Sequence, residues 1–378
     1  MLKKNIAIAI VVALVFSWLT LGASSSDPSG IGLRGTDSKV AFSQPPQIEK
    51  GNNSHPFSLS ENQHRFLRDP VDFSPADSKS KLMILGTGNP IPNPVRYGPA
   101  SAVIINGNVY FVDAGDGMWA AISNGYLAHN KNPIIAEAFI KPMDNFKHLF
   151  LTHLHEDHTV GIPGFILGKY KFMQRTPSEV FGPVGTEDLM RNFEKAWTKD
   201  IVNMQDTMGK EMYTDEGWRS NVHEVPLEGK GAVIFEDENV KVQAYKTIHG
   251  GMDSYAYRFT TVDGRILVFG GDGVYSKGLV EAAKGADILV VESISYETLK
   301  YAPWGGDTLE EKKKLIGQFH MFPDRLARIQ KESGVKNIVT VHEQNYAPQE
   351  IYYREQLKEE NERAGVKNVY SAVDGDLY

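Results

Sequence analysis

The stretch that decides the fold is residues 152–161, THLHEDHTVG, in which three histidines and one aspartate lie close together. The apolar residues 148–151 before it predict a short buried strand, so the cluster lies in a loop that follows a strand. Only 11 of the 378 residues are histidine. Imidazole nitrogen and carboxylate oxygen are the ligands of protein-bound zinc where no thiolate is available. The stretch therefore predicts a metal site centred on His153, His155, Asp157 and His158.

Three later residues are candidates to complete this site, because two cations need more ligands than one loop supplies. His249 lies between two strand-like runs, Asp272 follows the apolar run ILVFGG, and His342 ends NIVTVH. A carboxylate at Asp272 can bridge two cations about 3.5–4 Å apart. Taken alone, Asp272 also fits a turn aspartate, and His249 and His342 also fit structural histidines.

Strand-like and helical segments alternate around these residues. The runs 102–105 and 109–112 predict a hairpin joined by Asn106-Gly107, a pair that favours a type I′ turn. Residues 165–224 predict a mainly helical stretch with apolar faces. Further strands are predicted at 240–245, 254–260, 266–270, 288–291 and 337–342, with helices at 278–283 and 323–332. The order of elements indicates an α/β protein.

The N-terminal part predicts export. Residues 1–23 contain two lysines followed by an apolar run and small residues, as in a signal peptide or an uncleaved N-terminal anchor. Residues 24–80 are rich in Ser, Pro, Asn and Gly and predict a low-complexity lead-in. The catalytic domain is predicted at 81–378. We expect a periplasmic or secreted protein, in contact with a membrane only if the N-terminal segment stays uncleaved.

Composition limits the chemistry and the partners. The chain has no cysteine, which excludes disulfides, thiolate ligands and a cysteine nucleophile. Its formal net charge is -7, which does not favour a polyanionic partner. We therefore do not expect a nucleic acid as the partner. Nothing in the sequence selects an oligomeric state.

The motifs LGTGNP, THLHEDHTVG, TIH, GGDG and VTVH, in this order over about residues 81–342, resemble the metallo-β-lactamase superfamily. The opening LGTGNPIPNPVRYGPAS and the hairpin NGNVYFVDAGDG resemble its ribonuclease Z branch, especially the exported arylsulfatase-like relatives. The stretch AWTKDIVNMQDTMGKEMYTDEGW is similar to an insertion of the arylsulfatase-like group. The glycine- and lysine-rich arm with which ribonuclease Z holds tRNA is not found.

The resemblance implies a four-layer αββα sandwich with its site at one edge. It also implies two metal ions, with zinc favoured and iron or manganese as alternatives. One ion would be bound by His153, His155 and His249, the other by Asp157, His158 and His342, with Asp272 bridging them. A hydroxide between the metals would be the nucleophile, and Asp157 would orient it as well as bind metal.

His320, in GQFHMF, is similar in position to a histidine of ribonuclease Z that precedes the final helix and strand. The resemblance implies that His320 stabilises the leaving group, with Glu292 as its orienting partner. Ribonuclease Z usually has Ser or Thr after this histidine, whereas this chain has Met321. A histidine at the start of a helix also fits a surface role.

Together with the ligand pattern, the resemblance predicts an exported, dinuclear metal-dependent hydrolase. Its expected partner is a small-molecule ester, either a sulfate ester or a phosphodiester, with arylsulfatase-like chemistry favoured. The alternatives are a lactonase or thioesterase, a ribonuclease Z-like phosphodiesterase, and a catalytically silent binding scaffold. The other histidines, at positions 55, 64, 129, 148 and 223, lack ligand spacing and are expected to be surface or structural residues.

Overall fold

The computed structural model describes residues 69–378, apart from 94, 141–144, 227, 304 and 345–349. The predicted signal or anchor at 1–23 and most of the lead-in at 24–80 lie outside the described residues, so export stays a prediction. In the described part, no helix has the length and apolar character required to cross a bilayer.

The first sheet contains six strands in sequential order. The strands β1 to β3 are antiparallel and β3 to β6 are parallel. The turn between β2 and β3 has positive φ at both Asn106 (49°) and Gly107 (74°), as a type I′ turn requires. The six strands are β1 Ser80–Gly86, β2 Ala100–Ile105, β3 Asn108–Val112, β4 His148–Phe150, β5 Ser178–Gly182 and β6 Ser220–Glu224.

The second sheet contains seven strands in the order β13-β12-β11-β10-β9-β8-β7. Its strands β7 to β10 are antiparallel, and β10 to β13 are parallel. The seven strands are β7 Lys230–Glu236, β8 Val240–Lys246, β9 Tyr255–Thr261, β10 Ile266–Phe269, β11 Ile288–Glu292, β12 Asn337–Val341 and β13 Val369–Ser371.

Helices cover the outer face of each sheet. The described helices are α1 Met118–His129, α2 Pro133–Ile140, α3 Ile162–Lys171, α4 Thr186–Met208, α5 Lys277–Ala283, α6 Leu309–Ile316, α7 Pro323–Ser333 and α8 Glu350–Ala364. One apolar core joins the first sheet to α1–α4, a second lies between the sheets, and a third joins the second sheet to α5 and α7. Alternate side chains of β1 enter different cores: Leu82 and Ile84 face the other sheet, whereas Met83 and Leu85 face the helices. The predicted four-layer αββα sandwich is confirmed.

The prediction of a mainly helical stretch at 165–224 is wrong in part, because β5 and β6 lie within it. The long helix α4 lies within this stretch, and the helical spacing of its apolar residues led the whole stretch to be predicted as helix. The strand β6, SNVHE, is an edge strand whose side chains are partly or fully exposed, so it lacks the apolar alternation that marks a half-buried strand.

Ordered contacts begin before the first strand. The amide of Phe73 donates to the carbonyl of Leu377 at 2.7 Å, and the amide of Val71 donates to Asp376 Oδ1 at 3.0 Å. The C-terminal residues also bond to β1, where the amide of Leu82 donates to the carbonyl of Tyr378 at 2.9 Å. Residues 71 and 73, at the end of the predicted lead-in, are therefore hydrogen-bonded to the C-terminal residues.

Candidate metal centre

The candidate site lies where parallel strands of both sheets end. Residues 152–158 follow β4, Asp272 follows β10, Glu292 is the last residue of β11, and His342 follows β12. Because parallel strands end at the same edge, residues far apart in sequence meet there. All seven predicted metal ligands are brought together at this edge.

The first ligand group consists of His153, His155 and His249. Nδ1 of His155 lies 3.1 Å from Nε2 of His153 and 3.1 Å from Nε2 of His249. Zinc–nitrogen bonds of 2.0–2.1 Å in a tetrahedron separate the nitrogens by about 3.4 Å, close to this spacing. The Nδ1 of His249 donates to the carbonyl of Phe319 at 2.8 Å, which leaves Nε2 without a proton and directed at its two partners.

The second ligand group consists of Asp157, His158 and His342. Oδ2 of Asp157 lies 3.0 Å from Nε2 of His342 and 3.6 Å from Nε2 of His158. All three residues are buried. Their ligand atoms lie close enough together to surround one cation.

Asp272 lies between the two groups. Its Oδ1 is 3.3 Å from Nε2 of His158, its Oδ2 is 3.2 Å from Nε2 of His342, and its carboxylate also forms a triad with His158 and His153. Nε2 of His158 and Oδ1 of Asp272 are buried and make no hydrogen bond. Buried polar atoms without partners are costly, and a cation between them removes that cost. The residues present therefore fit a pair of metal ions.

Burial and charge act differently on the two groups. Burial lowers the pKa of His153 well below its ordinary value and lowers the pKa of His249 to about 4. Burial also disfavours charge on His158 and His342, but nearby carboxylates, chiefly Asp272, outweigh it and raise the pKa of both. His153 and His249 are thus neutral imidazoles, whereas His158 and His342 lie in the negative field of nearby carboxylates.

The predicted catalytic residue His320 lies beside the cluster. Its Nδ1 is 2.7 Å from Oε2 of Glu292, and its Nε2 is 2.8 Å from Nε2 of Gln344. Glu292 also forms a potential metal triad with Asp272 and His320. However, Oε1 of Glu292 accepts from the amide of Gly273 at 2.6 Å, so both of its oxygens have partners. We therefore place Glu292 behind His320 and outside the ligand set.

Sequence reasoning did not assign a role to Asp113. Its carboxylate accepts from Nδ1 of His158 at 2.9 Å and from the amide of Thr152 at 2.7 Å. A carboxylate behind a metal-binding histidine fixes the ring and raises its basicity. The signal in the sequence was weak: Asp113 follows β3 in the loop DAGDG, and only the fold shows that it contacts residues about forty positions later.

Two glycines of the GGDG motif make room for the site. A Cβ on Gly271 would lie 2.8 Å from Cβ of Thr152, and one on Gly273 would lie 2.5 Å from the carbonyl oxygen of Ile248. Gly271 also has a φ of 59°, which side chains rarely adopt. The loop after β10, which carries Asp272, can therefore approach the loops of His153 and His249 closely.

Of the other histidines, three lie in the described part. His129 is buried and its Nε2 bonds to the carbonyl of Gly375 at 2.7 Å, His148 stacks on Tyr110, and His223 bonds to Glu179. None contributes to the metal groups. His55 and His64 lie outside the described residues.

Comparison with known families agrees with this architecture. The profile described as Beta-lactamase superfamily domain matches residues 111–342, more than half of the chain. The chain belongs to this superfamily. It is therefore a metal-dependent hydrolase of the metallo-β-lactamase fold.

Several similar proteins are named Ribonuclease Z. That of Methanocaldococcus jannaschii is 31% identical over 182 residues, which are 48% of this chain and 48% of that protein. That of Mycobacterium sp. (strain KMS) is 25% identical over 269 residues, which are 69% of this chain and 83% of that protein. This chain thus spans about half of the first relative and most of the second.

Solved structures show the same fold. The metallo-β-lactamase fold protein YhfI from Bacillus subtilis has a TM-score of 0.54 at 15% identity and covers 80% of this chain and 99% of its own. The short form of human tRNase Z has a TM-score of 0.53 at 22% identity and covers 79% of this chain and 98% of its own.

The prediction of a small-molecule ester partner, with nucleic acid not expected, is wrong. The relatives are named for RNA cleavage. The net charge of -7 is a sum over the whole chain and does not describe the field at one edge of the sheets. Bound cations are often the largest local charges in such a site. Acidity of the whole chain therefore does not exclude a polyanionic substrate.

Proposed function

We propose that this protein is a phosphodiesterase that cleaves RNA with two metal ions, zinc being the first choice. The observation that carries the proposal is the pair of three-residue ligand groups joined by Asp272, with His320 and Glu292 beside them. All seven proposed ligands are histidine or aspartate, in a chain without cysteine. This donor set suits zinc and is tolerated by iron or manganese.

Each residue has a defined task in this proposal. His153, His155 and His249 would hold one cation, Asp157, His158 and His342 the other, and Asp272 would contact both. When bound, the cations would supply an acidified water as nucleophile and stabilise charge on the attacked phosphate oxygens. Asp157, whose Oδ2 lies 3.0 Å from Nε2 of His342, would bind the second cation and would also accept a hydrogen bond from the attacking water.

His320 would handle the leaving oxygen. Its Nδ1 is held by Glu292 at 2.7 Å, and its Nε2 accepts from the amide nitrogen of Gln344 at 2.8 Å. Burial lowers the pKa of His320, so Nε2 would give a proton to the leaving oxygen only after the ring has taken up a second proton. Glu292 is fully buried and fixed by the amide of Gly273, which keeps the imidazole in one orientation. Glu292 is thus a positioning residue, and His320 is a catalytic residue.

Phosphodiester cleavage is favoured over the sulfate ester chemistry that the sequence suggested. The ligand set alone does not discriminate between the two, because one dinuclear centre serves several ester classes. The relatives named Ribonuclease Z support the phosphodiester, and their names point to RNA as its source.

The test begins with the metal content of the purified full chain. The same sample is then given an end-labelled RNA, bis-nitrophenyl phosphate and nitrophenyl sulfate. We expect two metal equivalents, cleavage of both phosphodiesters, loss of turnover with a chelator and recovery with zinc. Turnover of the sulfate alone, or two bound metals without cleavage of either diester, would overturn the proposal.

A further inference from the structure

We propose that Arg96 and Glu343 form a buried positioning pair that holds His342 in place and thereby sets the metal affinity of the second ligand group. The inference rests on the proposed metal centre. It also assigns a role to the LGTGNP opening, whose loop carries Arg96.

The two side chains meet in the interior. Nη2 of Arg96 lies 3.4 Å from Oε2 of Glu343, and their side chains are only 3% and 0% exposed. Burying an ion pair costs the hydration free energy of both charges, and their mutual attraction offsets little more than this cost. A buried ion pair is therefore a weak source of folding stability. A buried pair next to a metal ligand is better explained by the geometry it imposes.

Glu343 holds the chain on both sides of His342. Its Oε1 accepts from Oγ1 of Thr340 at 2.7 Å, two residues before the histidine. Its own carbonyl, one residue after the histidine, accepts from Nδ2 of Asn89 at 2.7 Å. These contacts connect the end of β12 to the loop that follows β1.

The backbone of His342 needs such support. Its φ is 46°, a left-handed value that residues other than glycine seldom adopt and that persists only where the surroundings impose it. With this backbone conformation, Nε2 of His342 lies 3.0 Å from Oδ2 of Asp157 and 3.2 Å from Oδ2 of Asp272.

The ring of His342 lacks the support that other ligands receive. Nδ1 of His158 bonds to Asp113, and Nδ1 of His249 bonds to the carbonyl of Phe319. Nδ1 of His342 is buried and makes no hydrogen bond; the nearest carboxylate oxygen, on Glu292, is 3.7 Å away. The backbone, and therefore the contacts of Glu343, must set the position of this ligand.

The loop that carries Arg96 is itself anchored. Asp374 accepts from the amide of Thr87 at 2.9 Å and from the amide of Tyr97 at 2.6 Å, so one carboxylate fixes both ends of the loop. Nη1 of Arg96 lies 3.4 Å from the carbonyl of Thr87. Arg96 thus contacts Glu343 from a loop that is held by hydrogen bonds at both ends.

The experiment measures the two metal dissociation constants by chelator competition in the wild type and in Arg96→Met. A His342→Ala variant identifies which constant belongs to the second ligand group. The control is Arg265→Met, which removes an arginine bonded to the carbonyls of Ser80 and Tyr378 at the opposite end of the sheets. Unfolding temperature is recorded with chelator and with metal.

We expect Arg96→Met to weaken the second constant by about 10–100-fold, the range typical of partners that orient metal ligands, and to leave the first unchanged. The rise in unfolding temperature on metal addition should shrink in Arg96→Met and persist in Arg265→Met. Arg96→Lys, which keeps the charge, should restore part of the affinity. A purely structural role would lower stability in chelator without changing either the metal constants or the metal-induced rise.

If Arg96→Met fails to fold, Asn89→Ala and Glu343→Gln test the same connection with smaller changes. Wild-type constants in these variants would overturn the positioning role while leaving the metal centre intact. A wild type that binds fewer than two cations would instead refute the proposed function.

Discussion

The two ligand groups lie at one edge of the same sandwich but differ in charge and support. The first group contains only imidazoles, and burial keeps the pKa of His153 and His249 low. The second contains a carboxylate, and Asp272 raises the pKa of His158 and His342. His153 and His249 thus offer nitrogen lone pairs without competition from protons, whereas His158 and His342 must release protons to bind a cation.

In the proposed centre, the two cations would therefore be bound in surroundings that differ in charge. Asp113 and the Arg96–Glu343 pair both support the second group, while the first is supported by Thr152 and the carbonyl of Phe319. Four substitutions test the contrast.

The largest effect is expected from Asp272→Ala, because this residue contacts both groups. Turnover should fall by at least about 10³-fold, since metal-assisted charge stabilisation contributes several kcal/mol. Bound metal should drop from two equivalents to one or none, as measured by elemental analysis. The exposed Asp116→Ala is the control; activity retained in the Asp272 variant would rule out the dinuclear mechanism.

The next largest effect is expected from His320→Ala, which belongs to neither group. Loss of a proton donor costs about 10²–10⁴-fold in turnover, with metal content unchanged. Parallel measurement of turnover and metal content separates this from a ligand substitution. His223→Ala, on the surface, should behave as wild type, and loss of metal in the His320 variant would place His320 among the ligands instead.

A smaller effect is expected from Asp113→Asn, which removes the charge behind His158 but keeps an oxygen acceptor. The affinity of the second group should fall by about 10–100-fold while the first is unaffected. Chelator titration gives both values. The matched control is Asp237→Asn, since Asp237 bonds to Tyr110 far from the centre. An equal loss of metal affinity in both ligand groups would contradict the inference that Asp113 supports only the second group.

The smallest effect concerns His148, a histidine without metal neighbours in the described part of the chain. Burial lowers its pKa to about 4, as it does for His249. The unfolded chain takes up a proton below about pH 6.5 but folded His148 does not until about pH 4, so stability is lost as pH falls through this window.

His148→Phe should therefore reduce the loss of unfolding free energy between pH 7 and pH 5 by about 1–2 kcal/mol, discounted for partial exposure. Urea unfolding of metal-stripped protein measures it, with the wild type as reference. An unchanged pH dependence would show that burial does not lower the pKa of His148 in the folded protein.

The ligands could be recognised in the sequence because their residue types are uncommon and their contexts are local. His153 to His158 form a dense run, and His249, Asp272 and His342 each stand at a strand end. The alternation of strands and helices indicated an α/β protein, and the resemblance of the motifs to the metallo-β-lactamase superfamily implied the αββα sandwich. The edge strand β6 was missed because its polar, exposed side chains carry no periodic signal.

The supporting residues could not be recognised in this way. Asp113, Arg96 and Glu343 are common residue types, and each acts through a contact with a distant residue; Arg96 and Glu343 are 247 positions apart. The sequence by itself determined the superfamily, the candidate ligands and the sandwich. The tertiary structure alone decided which ligands face one another, which are held by hydrogen bonds and which by the backbone, because those properties depend on distances between strand ends that only the folded sheets bring together.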